Sequence, residues 1–155
     1  MQIKDIGFDE LSAASRVLWK SFYHAEKNTC SMEGMERFRD LTEPPSLFMN
    51  CFDGSIRLFG AYHRELVAVG ALKGEGHILL LYVLPEYAGK GIGSKLLAYI
   101  EDKVMAERIT LNASDGAVSF YEKRGYVVTA PRKVEEGLAY TPMEKEKNDF
   151  SSKIS

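Results

Sequence analysis

Apolar residues in this chain fall into two kinds of run, continuous or alternating stretches and stretches at helical spacing. The segment Leu79-Leu80-Leu81-Tyr82-Val83-Leu84, closed by Pro85, is continuous and reads as a strand covered on both faces. Beyond a glycine-rich interval, Ile92, Leu96, Leu97, Ile100 and Val104 recur at helical spacing, with Lys95, Asp102 and Lys103 opposite. The pattern therefore predicts strand, glycine turn and amphipathic helix in succession, and the rest of the chain is read around that unit.

Upstream, Gln2 to Ile6 is a strand candidate. Leu11, Ala14, Leu18 and Phe22 trace one helical face that Asp9 is placed to cap. Ser31 can cap a second helix through about Leu41, with Met35 and Phe38 inward, which Pro44-Pro45 then breaks. Leu47 to Phe52 is too short for periodicity to decide between a helix capped by Ser46 and an extended segment. Ile56 to Tyr62 and Leu66 to Leu72 form a hairpin across His63-Arg64-Glu65, and His77 to Val83 extends it to a meander. Downstream, the helix to about Ala106 returns the chain by a right-handed crossover to a parallel strand, Arg108 to Asn112. A short helix, Ala117 to Arg124, stops at Gly125. Tyr126 to Ala130 and Leu138 to Lys145 are the last strands, flanking a charged loop from Pro131 to Gly137. Residues 1–146 are expected to form a single domain and 147–155 a polar, frayed tail.

Composition narrows the classes. At 155 residues, 45% hydrophobic and 27% charged, the chain has the make-up of a soluble globular domain with a real core. A net charge of −2 gives no reason to expect nucleic acid or an anionic membrane as partner. The N-terminus lacks an apolar signal region and no run is long enough to span a bilayer, so a cytoplasmic monomer or homodimer is expected. Cys30 and Cys51 have no metal-binding or disulfide-framework spacing and are expected to be free thiols; no metal is expected. The aromatic stretch from Trp19 to His24 is either core or one wall of an acceptor pocket.

Gly89, Gly91 and Gly93 allow successive backbone N–H groups to point into one concavity at a helix start, a nest suited to a phosphate or pyrophosphate. The bland alternative is a tight turn with no ligand. A Walker A loop fails on spacing, because Gly89-Lys90 is the only Gly-Lys pair and Leu84 stands where the earlier glycine belongs. A dinucleotide fingerprint fails because Leu96 occupies its third glycine position and a meander precedes the turn.

The remaining pattern is Ala88-Gly89-Lys90-Gly91-Ile92-Gly93 after Val83-Leu84-Pro85-Glu86-Tyr87. It resembles the acetyl-CoA signature of the GNAT superfamily of N-acetyltransferases. Downstream, Ala117-Val118-Ser119-Phe120-Tyr121-Glu122-Lys123-Arg124-Gly125-Tyr126 is similar to that superfamily's A-x-x-F-Y-E-K-x-G-F element. The resemblance runs from about Ile56 to Lys145. It implies an α/β (mixed α+β) fold whose central mixed sheet of six or seven strands splays at its middle, flanked by about four helices. Two positions depart from the family pattern: Ala88 stands where Gln or Arg is usual, and Ser114 where the second element often begins with Asn.

What the resemblance implies is direct transfer of an acetyl group from acetyl-CoA to a primary amine. The backbone of Leu81, Tyr82 and Val83 would pair with the pantetheine amides. The nest at Ala88, Gly89, Lys90, Gly91, Ile92, Gly93 and Ser94 would hold the pyrophosphate, with Asn112 and Ser114 as nearby polar groups. Tyr121 matches the family tyrosine that acts as general acid and adjoins the cofactor. A phenol of pKa about 10 protonates a thiolate of conjugate-acid pKa about 8.5 only with tuning or coupled transfer. Counting back from Val83, His77 falls where the histone-acetyltransferase branch carries its glutamate base; Glu75 or ordered water are alternatives. A small-molecule amine is the expected acceptor. A protein-lysine or N-terminal acetyltransferase and a non-catalytic acyl-CoA sensor are the competing readings. An open acceptor groove would favour the lysine enzyme, and a closed pocket between the first helices and the last loop would oppose it.

Overall fold

A computed structural model describes residues 1–147; of the polar tail expected over 147–155, all but residue 147 lies outside the described residues. In chain order the elements are β1 (Gln2–Asp5), α1 (Leu11–Glu26), α2 (Met32–Thr42), α3 (Pro44–Phe52), β2 (Ile56–His63), β3 (Glu65–Lys73) and β4 (His77–Val83). They continue with α4 (Ile92–Lys103), β5 (Arg108–Ala113), α5 (Val118–Glu122), β6 (Val127–Val128), β7 (Lys133–Glu135) and β8 (Leu138–Glu146). The strands form one mixed sheet in the order β1-β2-β3-β4-β5-β8-β6, with β7 also paired to β8. Eight strands and five α-helices exceed the six or seven and four expected from the resemblance.

Several local differences have simple causes. The first helix is preceded by a 3-10 turn at Phe8–Glu10, which removes Asp9 from the cap position. Pro44 and Pro45 end α2 and also open α3, because proline's missing N–H is harmless in the first turn of a helix. Leu47 to Phe52 is therefore helical, and Ser46 donates to the Asp40 carbonyl instead of capping. Ser31 does cap α2, its hydroxyl accepting from Gly34 N–H at 3.1 Å. The charged loop contains β7, and Glu136 and Gly137, both at positive φ, turn it tightly into β8.

The sheet separates two hydrophobic layers. On one face α4 buries Ile92, Leu96, Leu97 and Ile100 with Ile78, Ile109 and Leu111, and Tyr121 of α5 joins them. On the other, Leu11, Ala14, Leu18 and Phe22 of α1 pack with Phe38, Leu47, Leu58, Val69 and Ala71. Phe22 and Phe38 stack at 3.8 Å, and Tyr82 meets both rings edge-on.

Between β3 and β4, Leu72 pairs with Ile78 and Ala71 with Leu80, so Leu79 is an extra residue, a bulge. A bulge bends its strand and raises its twist. The next pairing shows the effect: β4 meets parallel β5 only at His77 with Thr110 and Ile78 with Leu111. From Leu79 to Val83 the β5-facing backbone edge of β4 has no strand partner, while β5 continues alongside β8 to Ala113. The sheet is splayed at its middle.

One contact ties the first helices to the last hairpin. The N-terminus of α2 lies against the β7–β8 turn so closely that a Cβ on Gly34 would collide with the Gly137 carbonyl and Cys30 Sγ. Arg37 and Glu136 form an ion pair beside it, and Leu138 packs into the α1–α2 cluster that contains Tyr82. The Gly137 carbonyl is backbone and cannot swing away as a side-chain end could, so Gly34→Ala is expected to destabilise the fold by about 1–3 kcal/mol. Gly116→Ala, with nothing within 4 Å, should stay within about 0.5 kcal/mol of wild type. Urea denaturation of the two variants measures the difference.

Candidate functional site

The glycine stretch adopts the conformation that its composition suggests. After the 3-10 turn at Pro85–Tyr87, Gly89 and Gly91 take φ of +76° and +79°, where side chains other than glycine are strained. Gly91 is the N-cap of α4, with no side chain capping it. The first N–H groups of α4 therefore point outward without an intrahelical partner, and the helix dipole adds partial positive charge. A Cβ on Gly89 or Gly91 would meet nothing within 4 Å, so conformation, not crowding, requires glycine there. The site's own chemistry thus suits an anion: uncapped donors, open space and the exposed Lys90 and Lys95 nearby. Ala88 is exposed and extended and adds no polar group.

Where β4 and β5 part, a cleft is lined by Leu79, Leu81, Tyr82, Asn112, Ser114 and Tyr121, among others. The structure thus brings together five of the expected site residues, Leu81, Tyr82, Asn112, Ser114 and Tyr121, from β4, β5, the following turn and α5. Its β4 side begins at Ile78, and His77 is not part of the lining. The His77 ring lies one residue earlier, half-buried, with Nδ1 sharing a 2.8 Å hydrogen bond with Thr110 Oγ1. Burial, and then the charge of Lys73, lower its pKa below the usual imidazole value, so neutral imidazole prevails at neutral pH. With Nδ1 engaged, Nε2 is the nitrogen left for other work.

Two phenols converge on the cleft. Tyr121 is only 7% exposed, and burial pushes its pKa up against a smaller downward pull from Arg124. Burial also raises Tyr82, helped by Glu26, Tyr121 and Cys30. Neither hydroxyl has a hydrogen-bond partner among the described residues. No buried side-chain polar atom among the described residues lacks a partner, so both hydroxyls are reached by solvent and open to whatever enters the cleft.

Sequence reasoning missed two neighbours. Glu26, the last residue of α1, is half-buried and close enough to raise both Tyr82 and Cys30. Its only local signal was position, one turn beyond Phe22. Arg124 lies inside the second motif, yet nothing in the motif says where its side chain goes; it reaches back to Ser94 in the first turn of α4. Phe22 is core against Tyr82, whereas Trp19 lies under Arg39 and lines a separate outer groove of about 330 Å³ between α1 and α2. Among the described residues no three His, Cys, Asp or Glu side chains gather as a metal site, and no helix is long and apolar enough to cross a membrane.

Two outcomes follow for the site in the absence of any ligand. Gly91→Ala should lower stability by about 1 kcal/mol through backbone strain. Gly93→Ala, whose Cβ would meet Val83 and Phe120 at ordinary distances of 3.5 Å or more, should leave stability unchanged or slightly raised. For His77, a folded-state pKa below the unfolded value of 6.5 means full stability above that pH, lost as pH falls through the folded pKa. Thermal melts from pH 7.5 to pH 5 should therefore show wild type losing stability relative to His77→Gln, with the gap opening below about pH 6.5.

Comparison with known proteins accords with this geometry. Residues 26–147 match the family model described as an acetyltransferase (GNAT) domain. A curated relative, S-alkylcysteine N-acetyltransferase of Bacillus subtilis (strain 168), is 44% identical over 54 residues, 29% of this chain and 30% of the relative's length. A GCN5-related N-acetyltransferase from Rhodopseudomonas palustris superposes with a TM-score of 0.80 at 25% identity, covering 94% of each chain. PaiA N-acetyltransferase from Thermoplasma acidophilum, solved in complex with coenzyme A, gives 0.77 at 23% identity over 94% of this chain and 99% of that one. The family match spans most of the sequence, from the end of α1 through β8, and includes the glycine nest, the parted strands and the tyrosine element: this chain belongs to the GNAT family of acetyltransferases.

Proposed function

We propose that residues 1–146 act as one catalytic unit that transfers the acetyl group of acetyl-CoA to a primary amine of a small molecule. The observation that carries the small-molecule reading is the Gly34–Gly137 contact. It shuts the first helices against the last hairpin on the Tyr82 side of the sheet, where a lysine-bearing polypeptide would need an open trough.

Acetyl-CoA supplies the acyl group as an activated thioester, and the chain's residues supply position and proton management. The β5-facing backbone edge of Leu81, Tyr82 and Val83 offers donors and acceptors to the pantetheine amides as an added strand would. The N–H groups from Gly89 to Ser94, with Lys90 nearby, take the pyrophosphate, and Asn112 and Ser114 face the same cleft from the β5 side. Ala88 and Ile92 contribute backbone alone. Tyr121 holds its proton through the neutral range and donates it to the departing thiolate. Because burial makes this phenol a weaker acid than a thiol, the transfer accompanies C–S cleavage instead of preceding it. On the amine side, neutral His77 accepts a proton through Nε2, directly or across a water; Glu75 and solvent are the alternative acceptors.

A thiol-release screen with acetyl-CoA against amino acids, polyamines, aminoglycosides and a lysine peptide tests the assignment. Free coenzyme A should appear with a small amine and not with the peptide. Thermal stabilisation by acetyl-CoA without release by any amine would point instead to a sensor. Tyr121→Phe should lower kcat by about a hundredfold or more while leaving the KM for acetyl-CoA nearly unchanged; an unaltered kcat would remove Tyr121 from the proton path.

A further inference from the structure

Position 88 leaves the nest without the side chain that most of the family carries there, and the structure offers another cation for it. Arg124 follows α5 and turns toward the first turn of α4. Its Nε donates to Ser94 Oγ at 3.1 Å, and one terminal nitrogen donates to the same oxygen. The other terminal nitrogen donates to the Phe120 carbonyl at 2.7 Å. The guanidinium carbon lies 3.7 Å from the centre of the Phe120 ring, which itself approaches the Cβ position of Gly93 at 3.6 Å. Bonded on three nitrogens and stacked on an aromatic face, the group is fixed in orientation.

Counting donors sharpens the picture. A guanidinium has five N–H groups, and these contacts engage three, leaving one on each terminal nitrogen. No carboxylate pairs with Arg124 among the described residues, although the side chain is half-buried. An unneutralised, half-buried cation therefore stands beside an uncapped helix N-terminus, and both favour an anion at one place. We propose that Arg124 is a cofactor-binding residue that contacts the pyrophosphate of acetyl-CoA directly, its planar fork reaching over Ser94 to do from α5 what Ala88 cannot do from the nest. This rests on the reading of acetyl-CoA as the acyl donor. The same placement couples the two motifs, since the residue that meets the phosphates is three positions from Tyr121.

Binding, measured without turnover, tests it. Coenzyme A and pantetheine, which lacks the pyrophosphate and nucleotide, are titrated into wild type, Arg124→Gln and Arg124→Lys, by calorimetry and by NMR respectively. Arg124→Gln should weaken coenzyme A about tenfold or more and leave pantetheine unchanged. Arg124→Lys should recover part of the loss, because an ammonium keeps the charge but not the fork. Unchanged coenzyme A binding by Arg124→Gln would overturn the assignment, and so would an equal loss for both ligands, which would mark Arg124 as a strut for α5. A wild type that binds neither ligand would overturn the acetyl-CoA reading as well, which separates the two failures.

Discussion

The early end of the β4–β5 pairing is the constraint on which the rest depends. Two register pairs hold the strands together, and the bulge at Leu79 turns β4 away before a third can form. Unpaired backbone in a protein interior is costly, so a strand edge of five residues left open next to a packed core is stable only if water or a ligand satisfies it. Both hydrophobic layers are arranged around that gap: α4 supports one face, α1 and α2 the other, and α5 sets Tyr121 at its mouth. The helix behind the gap begins with no capping side chain, so open edge and open helix end lie at consecutive stages of one chain segment.

Charge is distributed in the same spirit. The chain as a whole is slightly acidic, at −2, yet the rim of the nest carries Lys90, Lys95 and Arg124. Elsewhere some of the described cations meet carboxylates, as Arg57 does at Asp5, Arg108 at Glu144 and Arg132 at Asp115. These exposed pairs contribute little to stability. Their consequence is that the field at the nest is not diluted by competing unpaired cations in those regions.

Much of the architecture was legible because it is written locally. The apolar run before Pro85, the helical spacing after Gly91 and the stop at Gly125 each report on a few neighbouring residues, and the observed elements follow them. What escaped was tertiary. The bulge at Leu79 is invisible in a run that is apolar throughout, since periodicity cannot mark an extra residue there. Strand β7 is exposed along its whole length and is defined only by its register with β8, so Lys133-Val134-Glu135 reads as loop. Pro44-Pro45 reads as a break because the same residues that end one helix can begin the next. At the candidate site the nest and Tyr121 lie within compact motifs. Glu26 and Arg124 reach the site across folds of the chain that no spacing encodes, and His77 stands just outside the cleft that counting alone assigned it to.

The glycine-to-glycine seam between α2 and the β7–β8 turn has a consequence for synthesis. Gly34 leaves the ribosome more than a hundred residues before Gly137, and no Cβ can be accommodated at either position to hold the surface in reserve. Until the β7–β8 hairpin has been synthesised, α2 lacks the surface that packs against Gly34. The seam closes only when the β7–β8 hairpin emerges and docks. Until then the cluster of Phe22, Phe38 and Tyr82 lacks Leu138, so the last hairpin to be made completes a hydrophobic layer begun by the first helices.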